Sequence, residues 1–529
     1  STRNASKKKH TTFNMRASKL FILIANSCLA LSKKNILFIM LDDWRETNSL
    51  TPNIQALKDN GVVFSTAHAQ YPHCGPSRLS ILTGRYPFRS GMVTSDIFPL
   101  TATSERFLPS HFTSNGYLVG ATGKLFHNRN KFWPSEWFND TDVQSWPFIS
   151  KPFPYKVCKK RQYYCTCKEL GSESGDTCSD YLTARRVVLW IEQWQASKRP
   201  WFILAGFVRP HSDYRFPKKY RSLRTRRGMT TSGLTSNLPK IARTRIGKRL
   251  CSRNRKNSGK CFDAYTKAVY AADRYVGDIV ESLKSTNQYD NTMIVLTSDH
   301  GFHFGFDNFA HWGKNTLFEA SLKVPLVIKP ALSFSPRSAV VTEPVELLDL
   351  YPTMLEYAGL DIPDELEGSS LVPFLTSDAG NPTLGRKPYT ISMINLCARS
   401  RSPIRYKSCI TFKQGVRTIY GVAFSIGNGT HRFTEWRTLL KHACKTYAKS
   451  QKQCEAKPGC MWAMNTARSP FTETRKRFVC IPSTADVSNV NWGPSGLLAK
   501  ESYIISDQSK NHGGKLAPPV EIMQAVQNN

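Results

Sequence analysis

Hydrophobic positions in this chain follow two patterns. Asn35-Ile-Leu-Phe-Ile-Met-Leu41 is apolar without interruption, the mark of a strand covered on both faces in a parallel sheet, and it stops at Asp42-Asp43. Thr51-Pro52 then offers an N-cap and a first-turn proline for a helix through Leu57, with Gly61 placed to end it. A second buried run, Thr292-Met-Ile-Val-Leu-Thr297, ends at Ser298-Asp299-His300-Gly301. Before it, Phe262, Tyr265, Val269, Ala272, Val276, Ile279 and Leu283 recur at three-to-four spacing, which predicts a long helix laid on the sheet. Trp201-Phe-Ile-Leu-Ala-Gly-Phe207 reads as another strand. Strands alternating with helices predict an α/β fold with two acidic strand ends at its carboxyl edge, where open α/β sheets hold ligands.

After Gly368-Ser-Ser-Leu-Val-Pro-Phe374 the pattern loosens, and from about residue 401 it becomes shorter, more β-like and richer in cysteine. The chain is therefore divided into residues 1–32, a catalytic domain over 33–400 and a smaller subdomain over 401–529. Cys444, Cys454, Cys460 and Cys480 mark a disulfide-stapled insertion over 444–480 whose pairing stays open. Internal repeats are absent.

Residues from Met15 through Ala30 have the basic, apolar and small-residue layout of a secretory signal, with the residues before Met15 read as upstream sequence. Its apolar run is too short to span a bilayer, and a product of the secretory route, lysosomal or extracellular, is expected. Of the fourteen cysteines, twelve remain once Cys28 and Cys74 are set aside, an even number suited to an oxidising compartment. Asn139 and Asn428 head glycosylation sequons.

A net charge of +34 favours polyanionic partners. Fifteen Lys and Arg residues, and no acid, lie between Lys218 and Lys260, interleaved with Thr, Ser and Gly. That segment reads as a solvated loop or as a docking arm for an anionic polymer. Nucleic acid is not expected, because stacking aromatics and recognisable modules are missing.

Candidate chemistry gathers at a few places. Asp42 and Asp43, with Asp299 and His300 from a distant strand, form an oxygen-rich set that calls for a hard divalent cation such as calcium. Cys74-Gly-Pro-Ser-Arg78-Leu-Ser-Ile-Leu-Thr-Gly-Arg85 places a cysteine at an expected helix N-terminus, a location that favours anions. This segment resembles the sulfatase signature, C-x-P-S-R followed by L-T-G-R. Gly116-Tyr117 through Gly123-Lys124-Leu125-Phe126-His127 resembles that family's second signature.

The resemblance covers about residues 33–375. It implies an alkaline-phosphatase-like α/β sandwich, with a large, mixed, mostly parallel sheet flanked by helices and a smaller C-terminal α+β subdomain. It implies that Cys74 is converted to formylglycine by a formylglycine-generating enzyme, and that residue 74 joins Asp42, Asp43, Asp299 and His300 around calcium. By the same resemblance, Lys124 binds sulfate oxygens with Arg78, and His127 takes a proton from the formylglycine hydrate. Within the family the likeness is nearest to iduronate-2-sulfatase. Arg209-Pro210-His211 followed by Phe216-Pro217, and His311-Trp312-Gly313-Lys314, carry that likeness. By the resemblance His211 contacts the substrate, Lys314 contacts sulfate and the uronate carboxylate, and one or the other protonates the leaving alcohol, with a sulfated glycan bearing 2-O-sulfated iduronate as the expected substrate. The basic 218–260 segment, Phe302 and the 444–480 insertion depart from that subfamily. Other sulfate esters, a phosphonate or phosphate ester hydrolase on the same scaffold, and an inactive polyanion-binding protein are the alternatives. Oligomeric state is not legible.

Overall fold

The computed structural model describes residues 34–47, 49–90, 97–99, 107–125, 164–167, 178–212, 214–225, 251, 255–304, 312–332, 339–376 and 386–395. It also describes the strand segments 419–426, 431–438, 460–465, 478–482 and 497–504. His127, Asn139, Asn428 and the leader-like segment lie outside the described residues.

Eight strands make the main sheet: β1 (Asn35–Asp42), β2 (Val62–His68), β3 (Leu118–Gly123), β4 (Trp201–Pro210), β5 (Thr292–Ser298), β6 (Lys323–Lys329), β7 (Ala339–Val341) and β8 (Val345–Glu346). Their order is β7-β2-β6-β5-β1-β4-β3, with β8 also on β2, and every pairing is parallel except those of β6 with β2 and β5. Helices α1 (Pro52–Asp59), α2 (Cys74–Thr83), α3 (Ser179–Trp194), α4 (Arg255–Ser285) and α5 (Leu350–Tyr357) flank it.

The unbroken apolar run of β1 has a direct cause. Ile36, Phe38 and Met40 pack with residues of α2 and α5, while Leu37, Ile39 and Leu41 pack with α3 and α4 on the opposite face. The stripe on α4 is wholly buried, as expected for a helix that covers a sheet. Helix α1 begins at Pro52, but the Thr51 side chain makes no cap hydrogen bond; the proline alone marks the start.

Register carries the sheet's functional consequence. Asn35 pairs with Thr292 and Leu41 with Ser298, so β1 and β5 run level at their carboxyl ends, where Asp42, the last residue of β1, and Asp299, the first after β5, emerge together. On the other side Asp42 pairs with Pro210, one residue before His211. Gly123 pairs with Gly206, and Lys124 follows. A Cβ at Gly206 would lie 2.0 Å from the Lys124 carbonyl oxygen, so only glycine lets this strand end close up.

A smaller antiparallel sheet joins Tyr389–Asn395, Ile419–Ile426, His431–Thr438 and Leu497–Ile504. Its first strand docks on the main body through Met393 N–H to the Gln70 carbonyl at 2.9 Å and Ser392 Oγ to the Ala69 carbonyl at 2.7 Å. Ile97–Pro99 pairs with Cys460–Asn465, which pairs with Phe478–Pro482. Cys251 and Cys261 form a disulfide, and Cys178 is also disulfide-bonded. No helix among the described residues is long and apolar enough to cross a membrane.

Candidate active site

Helix α2 starts at Cys74, preceded by the extended His73, and its first intrahelical bond runs from Ser77 N–H to the His73 carbonyl at 3.1 Å. Pro76 sits in the first turn, where its missing N–H has no intrahelical acceptor to lose. All ten residues of the helix are buried, so Cys74 opens into the molecule beneath the carboxyl ends of the parallel strands. Cys74 is a free thiol.

Around its sulfur the predicted residues converge. Cys74 Sγ lies 3.3 Å from Asp42 Oδ1, 3.3 Å from His300 Nε2 and 2.8 Å from Lys314 Nζ. Lys314 also pairs with Asp43, and Lys124 with Asp42. His300 Nε2 is 3.4 Å from Asp43 Oδ1 and 3.6 Å from Asp299 Oδ1. His211 stands at the edge, its Nε2 4.0 Å from Asp43 Oδ2.

Adjacent residues at a strand end ordinarily diverge, yet Asp42 and Asp43 both face this centre. Asp43 turns back because its φ is 64°, a left-handed conformation that costs a non-glycine residue about 1–3 kcal/mol and that Asp tolerates better than most.

Arg78 is wholly buried. Its Nε donates to Asp299 Oδ2 at 2.8 Å and its Nη1 to the Lys124 carbonyl. Nη2 has no hydrogen-bond partner among the described residues and sits 3.9 Å from Asp42 Oδ1. A buried, unbonded guanidinium donor is costly without an acceptor, and an anion would supply one.

Burial alone would push the Asp42 carboxyl up, but the Lys124, Arg78 and Lys314 cations hold it well below its usual range. Burial, with the neighbouring Asp42 and Cys74 charges, lifts Asp43 to about 7. Burial and Asp42 oppose the Cys74 thiolate, yet Lys124 and Lys314 bring its pKa below the ordinary value. Burial opposes the His300 imidazolium, but Asp299 and Cys74 raise its pKa to about 9; a bound cation would displace that proton. Burial, helped by Lys124 and Lys314, keeps the His211 imidazole well below its usual value and neutral.

A divalent cation fits this donor set. Ligand atoms of Asp42, Cys74, Asp299 and His300 lie within 4.8 Å of one another, as do those of Asp42, Asp43, Cys74 and His211. Carboxylate oxygens suit a hard ion; a thiol does not, whereas an oxygen at residue 74 would. Three carboxylates here are balanced by Arg78, Lys124 and Lys314, so a divalent ion would leave the centre positive and receptive to an anion.

Sequence reasoning missed the supports. Asp180 on α3 accepts Val208 N–H at 2.9 Å and Arg209 N–H at 2.8 Å, and Arg209 Nη1 donates to the His211 carbonyl at 2.7 Å, which together fix the approach of His211. Tyr265 was legible only as part of an apolar stripe, though its hydroxyl bonds to the Asp43 turn. No local signal distinguishes such residues from ordinary core or helix-start positions.

The sequence model of the sulfatase family matches residues 34–360. A sulfatase of Formosa agariphila is 32% identical over 66% of this chain and 74% of its own length. The iduronate 2-sulfatase of Mus musculus is 25% identical over 72% of this chain and 77% of its own. Among solved structures, the phosphonate monoester hydrolase of Silicibacter pomeroyi superposes with a TM-score of 0.59 at 20% identity, covering 78% of this chain and 89% of that one. The fold is the alkaline-phosphatase-like α/β sandwich that the sequence resemblance implied.

Proposed function

The chain belongs to the sulfatase family, and on that premise we propose that it removes the 2-O-sulfate of iduronate from a glycosaminoglycan, with residue 74 acting as formylglycine. The observation that carries the reading is the meeting of Cys74, Asp42, His300 and Lys314 beside the unbonded Nη2 of Arg78. Oxidised to an aldehyde and hydrated by one water, residue 74 would supply a geminal diol: one hydroxyl would form the S–O bond as the bond from sulfur to the sugar alcohol breaks, and the other, on losing its proton, would re-form the aldehyde and release sulfate. Calcium held by Asp42, Asp43, Asp299 and His300 would supply Lewis-acid polarisation of the sulfate oxygens.

The chain's own residues do the rest. Arg78, Lys124 and Lys314 neutralise the nonbridging oxygens as charge develops on them. Burial disfavours the Lys314 ammonium, but Asp43, Cys74 and Asp42 raise its pKa well above the ordinary value, so it stays protonated. Lys314 hands a proton to the departing alkoxide, and neutral His211 hydrogen-bonds the sugar. His127 is assigned the proton from the second hydroxyl by its place in the second signature. Iduronate specificity is supported by Arg209-Pro210-His211 and Lys314 and by the 25% identical mouse enzyme. The leader-like segment, the sequons and the Cys251–Cys261 disulfide support a secretory destination.

Sulfate release in calcium tests the reading, with a 2-O-sulfated iduronate disaccharide compared with glucosamine 6-sulfate, an aryl sulfate and a phosphonate monoester. A charge-assisted contact to the uronate carboxylate predicts a preference of about 10–100-fold in kcat/KM. Equal turnover of the sulfate esters removes the iduronate assignment, and preference for the phosphonate removes the sulfatase activity.

A further inference from the structure

We propose that Tyr265 and Ser298 are positioning residues of the cation centre, their hydroxyls holding the Asp43 turn in its left-handed conformation. The inference rests on the cation assigned above and concerns residues outside its ligand set.

Asp43 has a φ of 64°, and the polar groups around it are tied by side chains from other elements. Its N–H donates to Asp299 Oδ1 at 3.2 Å. Its carbonyl accepts the Tyr265 hydroxyl at 2.9 Å, and the Tyr265 hydroxyl oxygen in turn accepts Arg45 N–H at 2.9 Å. One phenol thus bridges the backbone on both sides of the turn. Between them, Trp44 N–H donates to Ser298 Oγ at 2.9 Å. The Ser298 hydroxyl in turn reaches the His300 carbonyl at 2.9 Å, which couples the two acid-bearing strand ends.

The Tyr265 ring is fixed independently of its hydroxyl. Phe304 meets it edge-on at 4.7 Å, Tyr214 edge-on at 5.9 Å, and Phe302 stacks on it at 6.0 Å. A phenylalanine would pack there equally well, so the hydroxyl's distinctive contribution is to the turn. A non-glycine residue keeps a left-handed backbone only where its surroundings over-determine it. Without the bridge Asp43 relaxes toward extended backbone, and its carboxylate swings away from Asp42 and Asp299.

Tyr265→Phe and Ser298→Ala in the full chain test this by calcium titration calorimetry, paired with thermal unfolding in chelator. Each substitution is expected to weaken calcium binding by about 10–100-fold, the usual effect of removing a support behind a metal ligand. A merely structural role lowers the unfolding midpoint in chelator but leaves the Kd of the folded protein unchanged. An unchanged Kd therefore overturns the role of the residue replaced, each residue standing on its own variant. A Tyr265→Phe chain that does not fold overturns a purely positioning role for Tyr265, and Ser298→Ala then decides for Ser298 alone. A parent chain that binds no divalent ion overturns the cation assignment together with this proposal. A parent that binds calcium but releases no sulfate overturns only the reaction.

Discussion

Among the described residues, the buried carboxylate cluster at Asp42, Asp43 and Asp299 and the one at Glu346 and Asp349 differ in what answers their charge. At Asp42, Asp43 and Asp299 the partners include the side-chain cations Lys124, Lys314 and Arg78. At Glu346 and Asp349 three backbone amides share the task with the Tyr86 hydroxyl, Gln70 and Arg386. Glu346 accepts Ile391 N–H at 2.8 Å and the Tyr86 hydroxyl at 2.7 Å. Asp349 accepts Glu346 N–H at 2.9 Å and Ser369 N–H at 2.7 Å, with Arg386 at 2.8 Å. Burial lifts one acid in each cluster, Asp43 and Glu346, to about 7. Perturbed acidity therefore does not separate a site from a staple. Partner type does: backbone amides fix a carboxylate in place, whereas ammonium groups can turn toward a ligand, and beside the first cluster the buried Arg78 Nη2 has no hydrogen-bond partner among the described residues.

The contrast is open to direct attack. Cys74→Ala should lower kcat on the order of 10^6-fold, the scale of nucleophile removal, with its thermal unfolding little changed. Arg386→Ala should do the reverse. Breaking its buried pair with Asp349 costs about 3–5 kcal/mol in urea unfolding, while kcat/KM of the folded fraction stays at the parent value. A kinetic defect there would merge the two clusters.

Chelation should abolish turnover and calcium should restore it. At a hundredfold excess over Kd the ion is expected to stabilise the chain by about 2.7 kcal/mol, read from unfolding curves. The smallest effect is a pH slope. Burial raises Glu346 from its ordinary 4.5 to about 7, so the folded chain holds that proton more tightly than the unfolded one. The resulting stabilisation is full below about 4.5 and is lost as pH rises through about 7. Glu346→Gln cannot titrate, so its deficit against the parent should narrow over that window.

Much of this was legible in the sequence. The apolar runs at 35–41 and 292–297 and the stripe on α4 follow from burial on both sheet faces, and the Cys74-to-Arg85 motif and the acidic strand ends named the centre. The level register of β1 and β5, which brings Asp42 beside Asp299, was not legible, because pairing joins residues more than two hundred positions apart. Nor was the left-handed Asp43, since nothing in Leu41-Asp-Asp43-Trp44 requires it; the requirement comes from Tyr265 and Ser298 on other elements. The Glu346 staple draws on Tyr86, Asp349, Arg386 and Ile391, each unremarkable alone.

Mass spectrometry of the peptide containing residue 74, on chain purified from its native host and shown to release sulfate, tests the central claim most directly. The account predicts an aldehyde or its hydrate in place of the thiol, with sulfate release proportional to the converted fraction. Full activity from chain that carries only unmodified cysteine would contradict it.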